Sequence, residues 1–263
     1  MNLGEPAYWE VKYKEDTEKQ IKFELFDWYA PFDLLWQTVE GVLNLEIRHK
    51  ILLIGFGRSN IVEFLYNKGF RDITAIDISP TIVRHMQNKY NTLSGVDFLV
   101  MDVLEMNTLQ DNAYTIVIDK GCVDALFCRI DFINAAHKCF EEVFRVLKPE
   151  VGIFCSISHG LPLTRVPYFR HIKWAIEAFP LQEGEKLFLY CMTKTTNEVL
   201  LGRKIHGGEF VEVAKSSKVV SVLDQNMNKS STNRKAGFGG NITVTASVDS
   251  IAELVAESQD VDS

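Results

Sequence analysis

Acidic side chains recur where short apolar runs stop along the first half of this chain. Asp77 closes ITAID, Asp102 follows VDFLVM, and Asp119 with Lys120 closes TIVIDK. Asp124 follows the third of these runs, and His159 follows a later one, GIFCSIS. Ahead of them all, ILLIGFGRSN (51–60) leads four aliphatic residues into Gly55-Phe56-Gly57. A strand that opens onto glycine lets a ligand approach the backbone closely, and several nucleotide chemistries use that turn. A triphosphate cradle requires Gly-x-x-x-x-Gly-Lys-Ser/Thr, and nothing after Gly55 supplies the lysine and hydroxyl. A dinucleotide turn requires a third glycine for close helix packing, and here that position is Asn60. Asp77 lies 22 residues after Gly55, where a carboxylate accepts both ribose hydroxyl protons; NAD and S-adenosylmethionine sites share that contact. Asp102 is placed to accept from an adenine amine while the Val103 amide donates to a ring nitrogen. Singly, each acid reads as a solvated strand end or a helix cap. At consecutive strand ends of one sheet edge, where ligands of open α/β folds collect, together they favour S-adenosylmethionine.

Those residues need a frame. Strand patterns are expected at 50–57, 72–79, 96–103, 114–121 and 152–159, alternating with helical ones, which is the mark of a parallel sheet. After the first strand, Ile61, Phe64 and Leu65 share a helical face, with Gly69 at the exit. Ser79-Pro80 reads as an N-cap followed by proline at the first helical position. Phe132, Ala136, Cys139, Phe140, Val143, Phe144 and Leu147 form one apolar stripe over 131–148. Ahead of the sheet, FDLLWQTVEGVL puts Phe32, Leu35, Trp36, Val39 and Leu43 on one face, a helix expected across the sheet's edge. Beyond residue 160, HIKWAIEAFP and KLFLYCMTK flank the turn-rich LQEGE, so the two strands run antiparallel as a hairpin. The fold class expected is α/β: a Rossmann-like seven-stranded sheet with a terminal antiparallel β-hairpin and helices on both faces. Dinucleotide-binding dehydrogenase domains normally finish on parallel strands instead.

Composition narrows the partners. The net charge of −7 argues against a nucleic-acid-binding surface, and no apolar run approaches the length of a membrane span. The start, MNLGEPAYWE, shows no basic and then hydrophobic leader. Five cysteines without a C-x-x-C pair read as buried or free thiols in a reducing, cytoplasmic setting. Of 17 Phe, 8 Tyr and 4 Trp, only Phe210 and Phe238 lie beyond residue 195. Such a stretch buries too little apolar area to offset ordering, so 196–263 is expected to be a mostly flexible tail. Within it, ITVTASV (242–248) has a strand pattern and SIAELVAE (250–257) a helical one.

The sequence resembles the class I methyltransferases of the METTL type, in particular the eukaryotic branch that methylates lysines of translation elongation factor 1-alpha. The resemblance covers roughly residues 7–195. AYWEVKY (7–13), FDWYAPFDLL (26–35), ILLIGFGRSN, AIDISPTIV, MDV, IDKGCVDAL (118–126) and RVLKP (145–149) carry it. Family members usually show Leu-Gly-Cys-Gly-Asn-Ser at the turn; Phe56 and Arg58 depart from it, as Glu150-Val151 departs from Pro-Gly-Gly. The resemblance implies a cap of the cofactor site over 1–45 and a methyltransferase domain over 46–195. It implies S-adenosyl-L-methionine contacts at Trp9, Tyr13, Trp28, Gly55, Asp77, Ile78, Asp102, Val103 and Lys120, with Gly57 beside them in the turn. Without it, Trp9 and Trp28 read as core and Lys120 as an exposed loop lysine.

Methyl transfer to a lysine needs a deprotonated amine and good alignment, so neither a triad nor a metal is expected. Asp119 and Asp124 are candidates to orient the amine, although Asp124 is equally placed to cap the next helix; His159 reads as a surface histidine or as a further candidate at the rim. Three readings stay open: a protein-lysine methyltransferase, plausibly on elongation factor 1-alpha; a small-molecule methyltransferase; and a non-catalytic module that retains the fold.

Overall fold

The computed structural model describes residues 3–18, 25–43, 46–181 and 186–195. The expected tail with its two patterned segments lies outside them, as does most of the LQEGE turn. Seven strands form one sheet: β1 (Ile51–Ile54), β2 (Ile73–Asp77), β3 (Val96–Val100), β4 (Ile116–Lys120), β5 (Ile153–Ser158), β6 (Trp174–Pro180) and β7 (Phe188–Lys194). Their order is β3-β2-β1-β4-β5-β7-β6. The first five pair in parallel, and β7 inserts antiparallel between β5 and β6. The expected Rossmann-like sheet with its terminal hairpin is therefore present. β1 and β2 are buried at every position, which parallel strands require because helices cover both of their faces.

Seven helices accompany the strands among the described residues: α1 (Pro6–Glu18), α2 (Phe32–Leu43), α3 (Ile61–Asn67), α4 (Pro80–Lys89), α5 (Cys122–Leu126), α6 (Phe132–Val146) and α7 (Pro162–Phe169). Helices α2, α3 and α4 join the core layer that contains Leu53, Ile118 and Cys155. Helices α5, α6 and α7 join the layer that contains Leu52, Val117 and Phe154. The α6 stripe is buried through Ala136, Cys139, Phe140, Val143 and Leu147, while Phe132 and Phe144 are only partly covered. The Ser79 cap accepts from Ile82 N–H, with Pro80 at the first helical position as the sequence indicates.

One placement differs from the sequence reading. Helix α2 lies beside α3 over a sheet face and not across an edge, because Trp36 packs on Phe64 and Phe70 (ring centroids 5.3 and 6.3 Å apart). Periodicity gives the apolar stripe of a helix but not the partner that receives it. All five cysteines are free thiols; Cys139, Cys155 and Cys191 are buried.

β6 carries an unusual buried acid. Glu177 is 4% exposed, stands opposite Cys191 in the ladder, and its Oε1 has no hydrogen-bond partner among the described residues. Burial pushes its carboxyl from 4.5 up to about 7. Between those values the folded chain holds a proton that the unfolded chain has lost, so stability falls as pH rises through that window. Glu177→Gln is accordingly expected to raise the melting midpoint at pH 8 and to change it little at pH 4, as thermal melts at both values would show.

Candidate cofactor and acceptor site

The site forms where β1, β2 and β4 end. After Ile54 the chain turns through Gly55 at φ +59°, in the left-handed region that residues with side chains avoid. Gly55 N–H donates to Ile76 C=O at 2.8 Å, which seats the turn against β2. A Cβ on Gly55 would come within 2.6 Å of Cys122 Cβ, so only glycine lets β1 and the start of α5 approach this closely. Gly121, at φ +89°, is the N-cap of α5. Asp124 therefore does not cap that helix: it sits inside it, and its side chain turns toward the loop after β5.

Gly55, Gly57, Asp77, Ile78, Asp102, Val103 and Lys120 all line one cleft, and Trp9, Tyr13 and Trp28 line it from the N-terminal side. Asp77 Oδ2 accepts from Gly57 N–H at 2.9 Å and Oδ1 from Ser79 N–H at 3.0 Å. Burial pushes this carboxyl up to about 6, against the lowering effect of the Ser79, Gly57 and Ile78 amides. Each oxygen keeps acceptor capacity for a donor inside the cleft. Asp102 lies two residues past the end of β3, its Oδ1 accepting from Leu104 N–H at 2.9 Å. A buried carboxylate beside a glycine turn, with a second acid one strand over, fits the ribose and adenine of an adenosine nucleoside.

The aromatic side of the cleft corrects the composition-based reading. Trp28 is 44% exposed and so is not core, and Trp9 is only half-buried, packed at the margin of the core. Their rings meet edge-on at 6.2 Å, and Tyr13 lies 6.0 Å from Trp9. Faces of this kind attract a weakly hydrated cation such as a sulfonium. Lys120 is not an exposed loop lysine either. Its Nζ pairs with Asp27 at 2.8 Å and donates to Trp28 C=O at 2.9 Å, with only 6% of its side chain exposed. Burial pulls its ammonium below the ordinary lysine range while Asp27 pulls it back. Lys120 thus ties the 25–31 segment down beside the cleft.

Several contributors escape sequence reasoning because their partners lie far along the chain. Arg58 pairs with Asp16 at 3.3 Å, stands 5.5 Å from the Phe26 ring, and accepts Phe26 N–H on its own carbonyl. The unusual residue of the glycine turn is therefore a strap between α1, the turn and the 25–31 segment. Phe56 packs away on Phe98, rings 5.4 Å apart. Glu10 receives Ser79 Oγ (2.5 Å) and Thr81 Oγ (2.8 Å), fastening α1 to the first turn of α4. Burial alone would raise the Glu10 carboxyl, but these donors outweigh it and hold it at about 2.

The two acids proposed to orient an amine separate in the structure. Asp119 is fully buried and does not line the cleft; Ser156 Oγ and Val123 N–H occupy its oxygens at 2.6 and 3.1 Å. Burial pushes it up to about 7. Asp119 braces the turn after β4, and the reading of it as an amine-orienting group is corrected on that ground. Asp124 gathers Tyr29 Oη (2.6 Å), Ser158 Oγ (2.5 Å), His159 N–H (3.0 Å) and Arg165 (3.1 Å). His159 is exposed, with its ring 4.3 Å from that of Tyr29.

Sheet order, glycine turn and acidic strand ends together define the class I methyltransferase fold. Residues 52–155 match the family model described as a methyltransferase domain. An N-methyltransferase, NodS, from Bradyrhizobium japonicum WM9, solved with S-adenosyl-L-homocysteine, superposes with a TM-score of 0.53 at 13% identity, over 72% of this chain and 99% of that one. Over residues 52–155 the chain thus carries a methyltransferase domain, and its sheet has the class I methyltransferase fold.

Within that class its relatives include the human eEF1A lysine and N-terminal methyltransferase, 34% identical over 75% of this chain and 26% of that protein. The mouse EEF1A lysine methyltransferase 4 is 24% identical over 75% of this chain and 80% of its own length. This chain thus spans about a quarter of the human relative. Among the described residues no helix is long and apolar enough to cross a membrane, and no cluster of His, Cys, Asp or Glu could hold a metal ion.

Proposed function

We propose that this chain transfers a methyl group from S-adenosylmethionine to a lysine side chain of a protein, with translation elongation factor 1-alpha as the acceptor. The observation that carries the reading is the convergence of the Gly55–Gly57 turn, Asp77, Asp102 and the Trp9–Trp28 face on one cleft. In it, Asp77 accepts the ribose hydroxyls, Asp102 and Val103 hold the adenine, and Ile78 covers the nucleoside. Gly55 and Gly57 form the floor, and Trp9, Tyr13 and Trp28 face the sulfonium end. Lys120 acts through the 27–28 backbone that it holds. The acceptor half of the reading is supported by the relatives, whose names assign them elongation factor lysines.

When bound, the cofactor supplies a methyl carbon that an amine nitrogen takes, the electron pair of the broken S–C bond remaining on sulfur. The chain's part is to strip water from the amine and to aim it. A free lysine holds its proton up to a pKa of about 10.4, and a desolvated wall lowers that. Orientation alone supplies roughly 7–11 kcal/mol of barrier reduction. The odd number of cysteines supports a reducing, cytoplasmic setting for the reaction.

Labelled S-adenosylmethionine added with the protein to a cell lysate tests the acceptor. One labelled protein band, identified as elongation factor 1-alpha, is expected. Label confined to small molecules would replace this reading with a small-molecule methyltransferase, since sheet and cleft do not specify the acceptor. No label, together with no calorimetric binding of the cofactor, would leave only a non-catalytic module.

A further inference from the structure

Beside the cleft, one side chain is held in a backbone conformation that its residue type does not choose. Tyr29 has φ +71°, and across it Ala30 N–H donates to Trp28 C=O at 2.9 Å. A three-residue turn of this hand is rare and strained, and persists only where the surroundings over-determine it. Here they do. Lys120 holds the Trp28 carbonyl and Asp27 on one side of the turn. On the other, the Tyr29 hydroxyl donates to Asp124 Oδ2 at 2.6 Å.

Asp124 is immobilised in its turn. Ser158 Oγ and Arg165 occupy Oδ1, and His159 N–H shares Oδ2 with Tyr29. A carboxylate so engaged is poorly placed to receive a substrate. It would also be the wrong group to do so, since a bare carboxylate favours the ammonium form of an amine and so ties up the lone pair. A neutral phenol does not. Its oxygen keeps acceptor capacity after donating its proton. Burial and then the charge of Asp124 push the Tyr29 phenol well above its ordinary range, so it stays neutral. The hydroxyl stands over Gly121, where a Cβ would lie 3.2 Å from it, and Gly121 lines the cleft with Trp28 and Lys120.

We propose that Tyr29 is the acceptor-side catalytic residue: its oxygen, fixed by donation to Asp124, takes one N–H of the incoming lysine amine and aims the nitrogen lone pair into the cleft. Asp124 is the positioning residue that acts through it. The amine has already given its ammonium proton to water, and the Tyr29 O–H bond stays intact. This inference rests on the lysine-methylating reading above.

The test compares the full chain with Tyr29→Phe, Asp124→Asn and the double variant. It measures steady-state methylation of purified elongation factor 1-alpha, calorimetric affinity for S-adenosylmethionine, and melting. Each single variant is expected to lose at least tenfold in kcat while cofactor affinity stays within twofold. The double variant is expected to be no slower than the slower single one, as for two residues acting as a unit. A Tyr29→Phe chain within twofold of wild-type kcat overturns the proposal. So does a matching loss of cofactor affinity or of melting midpoint, or a double variant slowed by the product of the two single effects. If the wild type binds cofactor but leaves the elongation factor unmethylated, the functional reading fails and takes this inference with it. That outcome is distinct from a Tyr29-specific failure.

Discussion

Asp77→Ala is expected to weaken S-adenosylmethionine binding by roughly a hundredfold or more, since hydrogen bonds to a charged group contribute about 1.5–3 kcal/mol each. In the proposed site two such bonds to the ribose hydroxyls are lost together. The variant also strands the Gly57 and Ser79 N–H groups that Asp77 now receives at 2.9 and 3.0 Å, so the floor of the cleft loosens with the contact. Calorimetry measures the loss, and a wild-type-like affinity would remove Asp77 from the site. The same carboxyl gives the binding a pH signature. Its proton is held up to about 6, and a neutral carboxyl accepts from hydroxyls more weakly than the charged one. Affinity should therefore be level above that pH and decline below it, by about tenfold per pH unit in the limit where binding requires the ionised form. In Asp77→Asn the slope should disappear.

Gly55→Ala is expected to destabilise the chain by about 2–5 kcal/mol, from about 1–2 for a left-handed residue with a side chain and about 1–3 for overpacking. The added methyl would meet Cys122 Cβ at 2.6 Å and Sγ at 2.7 Å. The first of these is fixed to the backbone of α5 and cannot rotate aside. Adding Cys122→Ala should consequently restore little, because the obstructing Cβ remains. At roughly 2–4 °C per kcal/mol, the melting midpoint should fall by several degrees or more. An unchanged midpoint would mean that the turn can be rebuilt with ordinary backbone.

How far the sequence disclosed these features depends on the range of the interaction involved. Strand ends, the Ser79-Pro80 cap and the antiparallel hairpin are local, so composition and spacing show them. The ligand edge could be assembled from Gly55, Asp77 and Asp102 because parallel strands place consecutive carboxyl ends side by side, whereas Lys120 stood out only through the resemblance. Burial is different. Nothing in IDKGCVDAL tells that Asp119 points into the protein while Asp124, five residues on, points toward the rim. Both are acids near one loop, and only the packing of Ser156 and Arg165 separates them. The strap residues are further removed still. Arg58–Asp16, Glu10–Ser79 and Lys120–Asp27 join positions 42, 69 and 93 apart in the chain, and no periodicity marks such pairs. The reversed turn at Tyr29 follows from those straps, so it too was invisible.

The position of β7 between β5 and β6 sets an order for assembly. β6 precedes β7 in the chain yet joins the sheet only through it. While the chain is being synthesised, the β5 edge is not fully paired until Thr193 has emerged, nor β6 until Lys194 has. The last described strand is thus the keystone of the sheet and not its trim. A chain ended before Phe188 would expose the β5 edge, an invitation to pair with another molecule, even though it retained every residue of the cofactor cleft.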